Sequence, residues 1–359
     1  MNDRNQAHGH AGESLRKERD TVSSASPSCE TDVRQPTLSI RKAEADRLLK
    51  QGVEQHQAGQ FQSALQSFQQ SQVLYLEIGD QQGTEKVLGY LALTSYNVGE
   101  YAEAIDYSQR SLVLAQKIKN YLSTVKVLGT LGNAYRHLAD HERAIEYQQQ
   151  SLALAQEIQD RRGEMAALNN LGLAHKASGN HKQAIDCEQQ ALVIAQELND
   201  FLVQGQVLRN LGNAFYAMGD YEQAIAYYKQ RLNLAQKIGD PRLETQVLRN
   251  LGNVYYASGD HENAIVYNLQ RLSLSQKLGD LRTEEQALGS LGISCDALGK
   301  SEQAIDYHEQ RLAIVRHIQD FRLEEQILGT LRLAYYAQGD YIKASLYTKG
   351  QLPLPGLQR

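Results

Sequence analysis

The sequence predicts an all-α solenoid of eight stacked helix-turn-helix units. Three observations carry that expectation: a fixed 40-residue period, two helical stripes in each period, and cap residues at the junctions. Alanine recurs at Ala64, Ala104, Ala144, Ala184, Ala224, Ala264, Ala304 and Ala344. Leucine recurs at Leu91, Leu131, Leu171, Leu211, Leu251, Leu291 and Leu331, and glycine follows it at Gly132, Gly172, Gly212, Gly252 and Gly292. No insertion or deletion breaks this register, so the units must stack with nearly constant geometry.

Unit five shows why each element is helical. Leu208, Leu211, Gly212, Phe215 and Met218 fall on one stripe of a first helix, and Ala224, Ile225, Tyr228, Leu232, Ala235 and Ile238 on one stripe of a second. Asp240 is a good N-cap, Pro241 sits where its missing N–H costs nothing, and Glu244 puts negative charge in the first turn. Gly219 and Gly259 can close first helices in the left-handed conformation, with Asp220 and Asp260 capping the second ones; Gly239 and Gly279 close second helices. Two helices of about eighteen residues and two tight turns account for the period. Gly212 and its equivalents, with Ala224, are small where the antiparallel helices approach. Tyr107, Tyr147, Tyr227, Tyr267, Tyr307 and Tyr347 share one second-helix position, expected to fill space between repeats with the hydroxyl at the edge.

Residues 1–38 are rich in Ser, Glu, Asp and Arg with few aliphatics, and are expected to form a disordered tail; residues 39–350 hold the eight units, and 351–359 a short C-terminal tail. The formal net charge of -5 argues against a nucleic-acid or membrane partner. Cys29, Cys187 and Cys295 stand far apart, without the spacing of a disulfide framework or zinc site. No apolar leader or membrane-length run is present, so a soluble, cytoplasmic protein is expected.

The order L-x-x-L-G-x-x-[YF], Gly-[DN], Ala, aromatic, Leu resembles the tetratricopeptide repeat in a 40-residue form, over roughly residues 44–350. Strings such as Leu211-Gly212-Asn213-Ala214-Phe215 and Gln230-Arg231-Leu232 are similar to spindle-orientation adaptors of the Pins/LGN type and to bacterial, notably cyanobacterial, multi-repeat proteins. Two departures stand out: Leu128, Leu168, Leu208 and Leu248 replace a large aromatic, and the proline that often ends the second helix is absent. The resemblance implies a right-handed superhelix whose inner wall, built mainly from first helices, binds an extended or helical peptide.

On that resemblance the inner-wall side chains are Lys86, Tyr96, Lys126, Asn133, Arg136, Asn169, Lys176, Gln206, Arg209, Asn213, Tyr216, Gln246, Arg249, Asn253 and Tyr256, with Gln286, Asp296, Gln326 and Tyr336 further on. Their charges are basic except for Asp296, against a net acidic chain, which points to a groove for an acidic or amphipathic peptide segment. Units five and six repeat one quartet, Gln-Arg-Asn-Tyr. Arg209, Asn213 and Asn250 match half of a carboxylate clamp, but Gln286 and Ser290 stand where its other basic residues belong. The alternative is that all of these are solvated face residues. Arg231, Arg271 and Arg311 replace a small second-helix residue, either as stems packed across a neighbouring helix with heads bonded to Glu or Tyr, or as contributors to the groove.

Catalytic signatures are lacking: no phosphate-binding loop, nucleophile elbow, H-E-x-x-H or dinucleotide fingerprint occurs. His137 and His141 have metal-pair spacing, but a turn falls between them. No cofactor and no catalysis are expected. The expected function is a protein-interaction scaffold or adaptor, the alternative a module that self-associates through its end surfaces.

Overall fold

The structure, a computed structural model, describes residues 30–348, with side chains described from Leu38 to Tyr347. Cys29 and the short C-terminal tail lie outside the described residues, as does the expected N-terminal tail up to residue 29; the rest of that tail belongs to α1 (Glu30–Gln57).

The described residues form helices joined by tight turns, paired as hairpins. α1 pairs with α2 (Phe61–Glu77), α3 (Gln81–Val98) with α4 (Tyr101–Lys117), α5 (Tyr121–His137) with α6 (His141–Glu157), and α7 (Arg161–Ala177) with α8 (His181–Glu197). In the second half α9 (Phe201–Ala217) pairs with α10 (Tyr221–Ile238), and α11 (Pro241–Ala257) with α12 (His261–Leu278). α13 (Leu281–Ala297) then pairs with α14 (Ser301–His317), and α15 (Phe321–Ala337) with α16 (Tyr341–Thr348). Each helix packs on the next in the chain, and α3, α5 and α7 also touch one another in succession. This neighbour-only packing makes a solenoid, with first helices forming one wall and second helices the other.

The junctions follow the cap residues. Asp240 accepts from the backbone N–H of Arg242 and Leu243, both at 3.0 Å, with Pro241 starting α11. Asp220 and Asp260 accept from Gln223 and Asn263 at the starts of α10 and α12. Gly219, at φ +77°, makes the left-handed step between α9 and α10 that a side chain would strain.

The core runs as a ladder. Ala64, Ala104, Ala144, Ala224 and Ala264 have no exposed surface, and Leu91, Leu131, Leu211, Leu251, Leu291 and Leu331 are equally enclosed. Truncating any such leucine to alanine would cost about 2–5 kcal/mol. Two stripe assignments shift: Met218 and Ile238 are 48% and 40% exposed, because both sit at helix ends where the stripe runs off the core. The tyrosine row packs as expected and more specifically. Tyr147, Tyr227, Tyr267 and Tyr347 stack on the first-helix rings Tyr135, Phe215, Tyr255 and Tyr335 of their own units, with centroids 5.2–5.4 Å apart. Two of these hydroxyls reach back one unit: Tyr227 accepts from Gln189 Nε2 at 2.9 Å, and Tyr347 donates to Glu309 Oε1 at 2.5 Å.

Candidate functional site

Gln206, Arg209, Asn213 and Tyr216 recur at helical spacing along α9 and are all exposed; Gln246, Arg249, Asn253 and Tyr256 do the same on α11. The packing dictates this, since Val207, Leu208 and Leu211 turn the opposite face of α9 into the core. Lys126 and Lys176 are exposed on α5 and α7, while Asn133, Arg136 and Asn169 are half-buried. The thirteen side chains lie on first helices, four each from α9 and α11 and the rest from α5 and α7.

Behind this wall runs a second row that periodicity alone does not reveal. A Cβ at Gly132 would lie 2.5 Å from Gln148, at Gly212 2.4 Å from Tyr228, at Gly252 2.7 Å from Asn268 and at Gly292 2.5 Å from His308. Each glycine is thus a notch filled by one second-helix side chain, and two of these side chains bond to residues of the first-helix row. The Tyr228 hydroxyl donates to Asn213 Oδ1 at 2.7 Å, and Gln148 Nε2 to Asn133 Oδ1 at 3.3 Å and to the Gly129 carbonyl at 2.9 Å. These bonds fix the side-chain carbonyls of Asn213 and Asn133 inward, so that their amide N–H groups remain as donors. Glu188 fills the Gly172 notch at 2% exposure; burial lifts its carboxyl to about 7, opposed by Lys176.

The three arginines expected to pack across neighbouring helices divide. Arg311 meets Glu285, its Nε 2.7 Å and Nη2 2.6 Å from Oε1. Arg271, 3% exposed, donates from Nη2 to Gln286 Oε1 at 2.8 Å, and its Nε has no partner. Arg231, 4% exposed, has no hydrogen bond or ion pair among the described residues, and its Nε is fully enclosed without a partner. Burial pulls the pKa of Arg231 down to about 10, helped by the charge of Arg209; burial and Arg249 do the same to Arg271. The head-to-Glu arrangement therefore holds for Arg311 alone of the three.

A cavity of about 740 Å³ opens between the first three hairpins, lined among others by Lys42, Tyr75, Glu85, Lys86, Tyr90 and Lys126. Its volume is that of a ligand pocket. Glu85 inside it is held by Ser123 and by Asn120 Nδ2 at 3.1 Å. The sequence reading assigned Lys86 and Lys126 to the inner wall and bore no sign of a cavity, which depends on how far α1, α3 and α5 stand apart.

Among the described residues no group of three or more His, Cys, Asp or Glu side chains is placed to hold a metal ion. His137 is stacked on Tyr101 with centroids 4.6 Å apart, and its Nε2 lies 3.1 Å from the Tyr96 hydroxyl. Cys187 and Cys295 are buried free thiols; burial raises that of Cys187 to about 11, far from a reactive thiolate. No helix of the described residues is long and apolar enough to cross a membrane.

A ladder of helical hairpins in which each helix packs on the next is a repeat solenoid. The tetratricopeptide repeat profile matches residues 83–157, 163–237 and 242–317, more than half of the chain, which belongs to that family. No curated protein matches the sequence. Among solved structures, the chain is similar to a signal-transduction ATPase with numerous domains and a tetratricopeptide-repeat sensor from Pyrococcus horikoshii, at 18% identity and a TM-score of 0.61 over 90% of this chain and 47% of that one. It is also similar to the apo form of RapI, at 16% identity and a TM-score of 0.55 over 77% and 99% of the two chains. A Rap protein complexed with competence and sporulation factor follows, at 18% identity and a TM-score of 0.52 over 77% and 76%. At these identities the likeness is one of fold.

Proposed function

We propose that the chain is a non-catalytic scaffold that captures an acidic or amphipathic peptide segment of a partner protein along the wall of Lys126, Asn133, Arg136, Asn169, Lys176 and the two Gln-Arg-Asn-Tyr quartets. The observation that carries this reading is the exposure of Arg209 and Arg249 on successive first helices, with no acidic side chain among the described residues bonded to either. A guanidinium binds carboxylate through a planar fork, and Tyr216 and Tyr256 add apolar contact at little entropic cost. The fold is compatible with capture, since the Rap protein that shares it is complexed with competence and sporulation factor. The test is a pull-down from the native source with the parent protein beside an Arg209→Glu, Arg249→Glu variant. Partners lost from the variant at unchanged helicity support the groove; an unchanged set removes it.

A second reading, self-association through the C-terminal end, is favoured by Leu333, Tyr341 and Ile342, which are 67%, 64% and 79% exposed on α15 and α16. Light scattering that finds only monomer at high concentration would dismiss it.

A further inference from the structure

Three second-helix arginines occupy equivalent positions, forty residues apart, and the residue twenty-six before each decides its state. For Arg311 that residue is Glu285, and the pair is closed. For Arg271 it is Thr245, and for Arg231 it is Gly205, neither of which can carry charge. Arg231 is thus a buried guanidinium for which the described residues supply no anion, and the charge of a second cation, the exposed Arg209, acts on it. Removing a guanidinium from water without a partner is costly, and placing it near a like charge adds to the cost. The outer face of the equivalent Arg271 touches Gln286; the matching residue for Arg231 is Gln246, which makes no bond to it and remains free as a further donor. The acidic groups that attract Arg271, Asp280 and Glu285, have no counterpart acting on Arg231.

We infer that Arg231, Arg209 and Gln246 form a site for a phosphoryl dianion carried by the segment bound in the groove, with Arg271 and Arg249 forming a second, weaker one. The inference rests on the proposed peptide groove and gives the captured segment a phosphorylated side chain. Charge balance selects the dianion: Glu285 shows that one carboxylate satisfies one arginine, whereas the buried, unpartnered Arg231 also feels the charge of Arg209, and a phosphate monoester offers close to two negative charges and three acceptor oxygens.

The experiment uses the peptide Glu-Glu-Ser-Glu-Glu, blocked at both ends, in three forms: plain, phosphorylated on Ser, and with Glu replacing Ser. Isothermal titration should show the phosphorylated form binding about tenfold more tightly than the all-Glu form. Gly205→Glu copies the internal acid of Arg311, and a Cβ there meets only the Leu234 side chain, at 3.7 Å. This variant should remove the phosphate advantage, keep the all-Glu affinity within about twofold, and melt at a higher temperature than the parent. Arg231→Met serves as a second variant and should do the same. Equal binding of the two peptides, or a phosphate advantage that survives in both variants, overturns the inference and leaves the acidic groove standing. If neither peptide binds, the groove and the inference fall together.

Discussion

The Arg311 guanidinium and the Glu285 carboxylate share one oxygen, Oε1, with Nε 2.7 Å and Nη2 2.6 Å away, while the Glu285 side chain is 4% exposed. Breaking such a pair from the acid side leaves a largely enclosed cation. Glu285→Ala should therefore lower stability by about 3 kcal/mol, read as a shift in the urea midpoint. Removing both partners with Glu285→Ala, Arg311→Met should recover most of that loss.

Two glycines of the same chemistry should respond to alanine with opposite sign. At Gly212 a Cβ would lie 2.4 Å from the Tyr228 ring, so Gly212→Ala displaces the ring, breaks its bond to Asn213 and costs about 1–3 kcal/mol. At Gly329 no atom lies within 4 Å of that Cβ, and Gly329→Ala should stabilise by up to about 1 kcal/mol through helix propensity alone. Thermal melts of the two variants decide both claims.

Glu188 makes folding pH-dependent. Its carboxyl is lifted from the ordinary 4.5 to about 7, so the folded chain holds the proton more tightly than the unfolded one. Stability from this group is complete below about pH 4.5 and is lost as the pH rises through 7. Glu188→Gln keeps the shape without the charge, and should stabilise by about 3 kcal/mol at about pH 8 while changing little near pH 4.

Capture of an acidic peptide by Arg209 and Arg249 should weaken with salt. Raising ionic strength from about 0.05 M to about 0.5 M is expected to reduce affinity on the order of tenfold, because both groups are exposed and screened. The melting temperature should move little over that range, since the core leucines are indifferent to salt. An affinity independent of salt would remove charge as the recognition element.

The ladder was legible in the sequence because local chemistry and tertiary packing demand the same residues: Asp240 caps where Pro241 must begin a helix, and Leu211 is apolar where the hairpins close. The exposed quartets were legible too, as they are what remains on α9 and α11 once the core stripe is removed. The buried arginines were not. Arg231 and Arg311 are identical in local sequence pattern, and only the three-dimensional neighbour, Gly205 or Glu285, separates an unpaired cation from a paired one. The cavity between α1, α3 and α5 was hidden for a related reason, because it is a gap between elements and no residue type marks a gap. The reach of α1 back to Glu30 was not legible because Glu30–Gln57 as a whole has weak amphipathic patterning.

Units that share so much sequence run the hazard of pairing with the wrong neighbour, a characteristic failure of repeat chains. The notch-filling position counters it, since Phe68, Ser108, Gln148, Glu188, Tyr228, Asn268 and His308 differ at every step. At one step the notch residue differs as well: Ala92 stands where glycine is usual, in the unit whose filler position holds Ser108, the smallest member of the series. A first helix that met the second helix of another unit would find a side chain of the wrong size or charge in its recess. Each hairpin thus carries its own serial number, and a chain assembled from seven copies of a single unit should fold into mixed registers where this one reaches a single order.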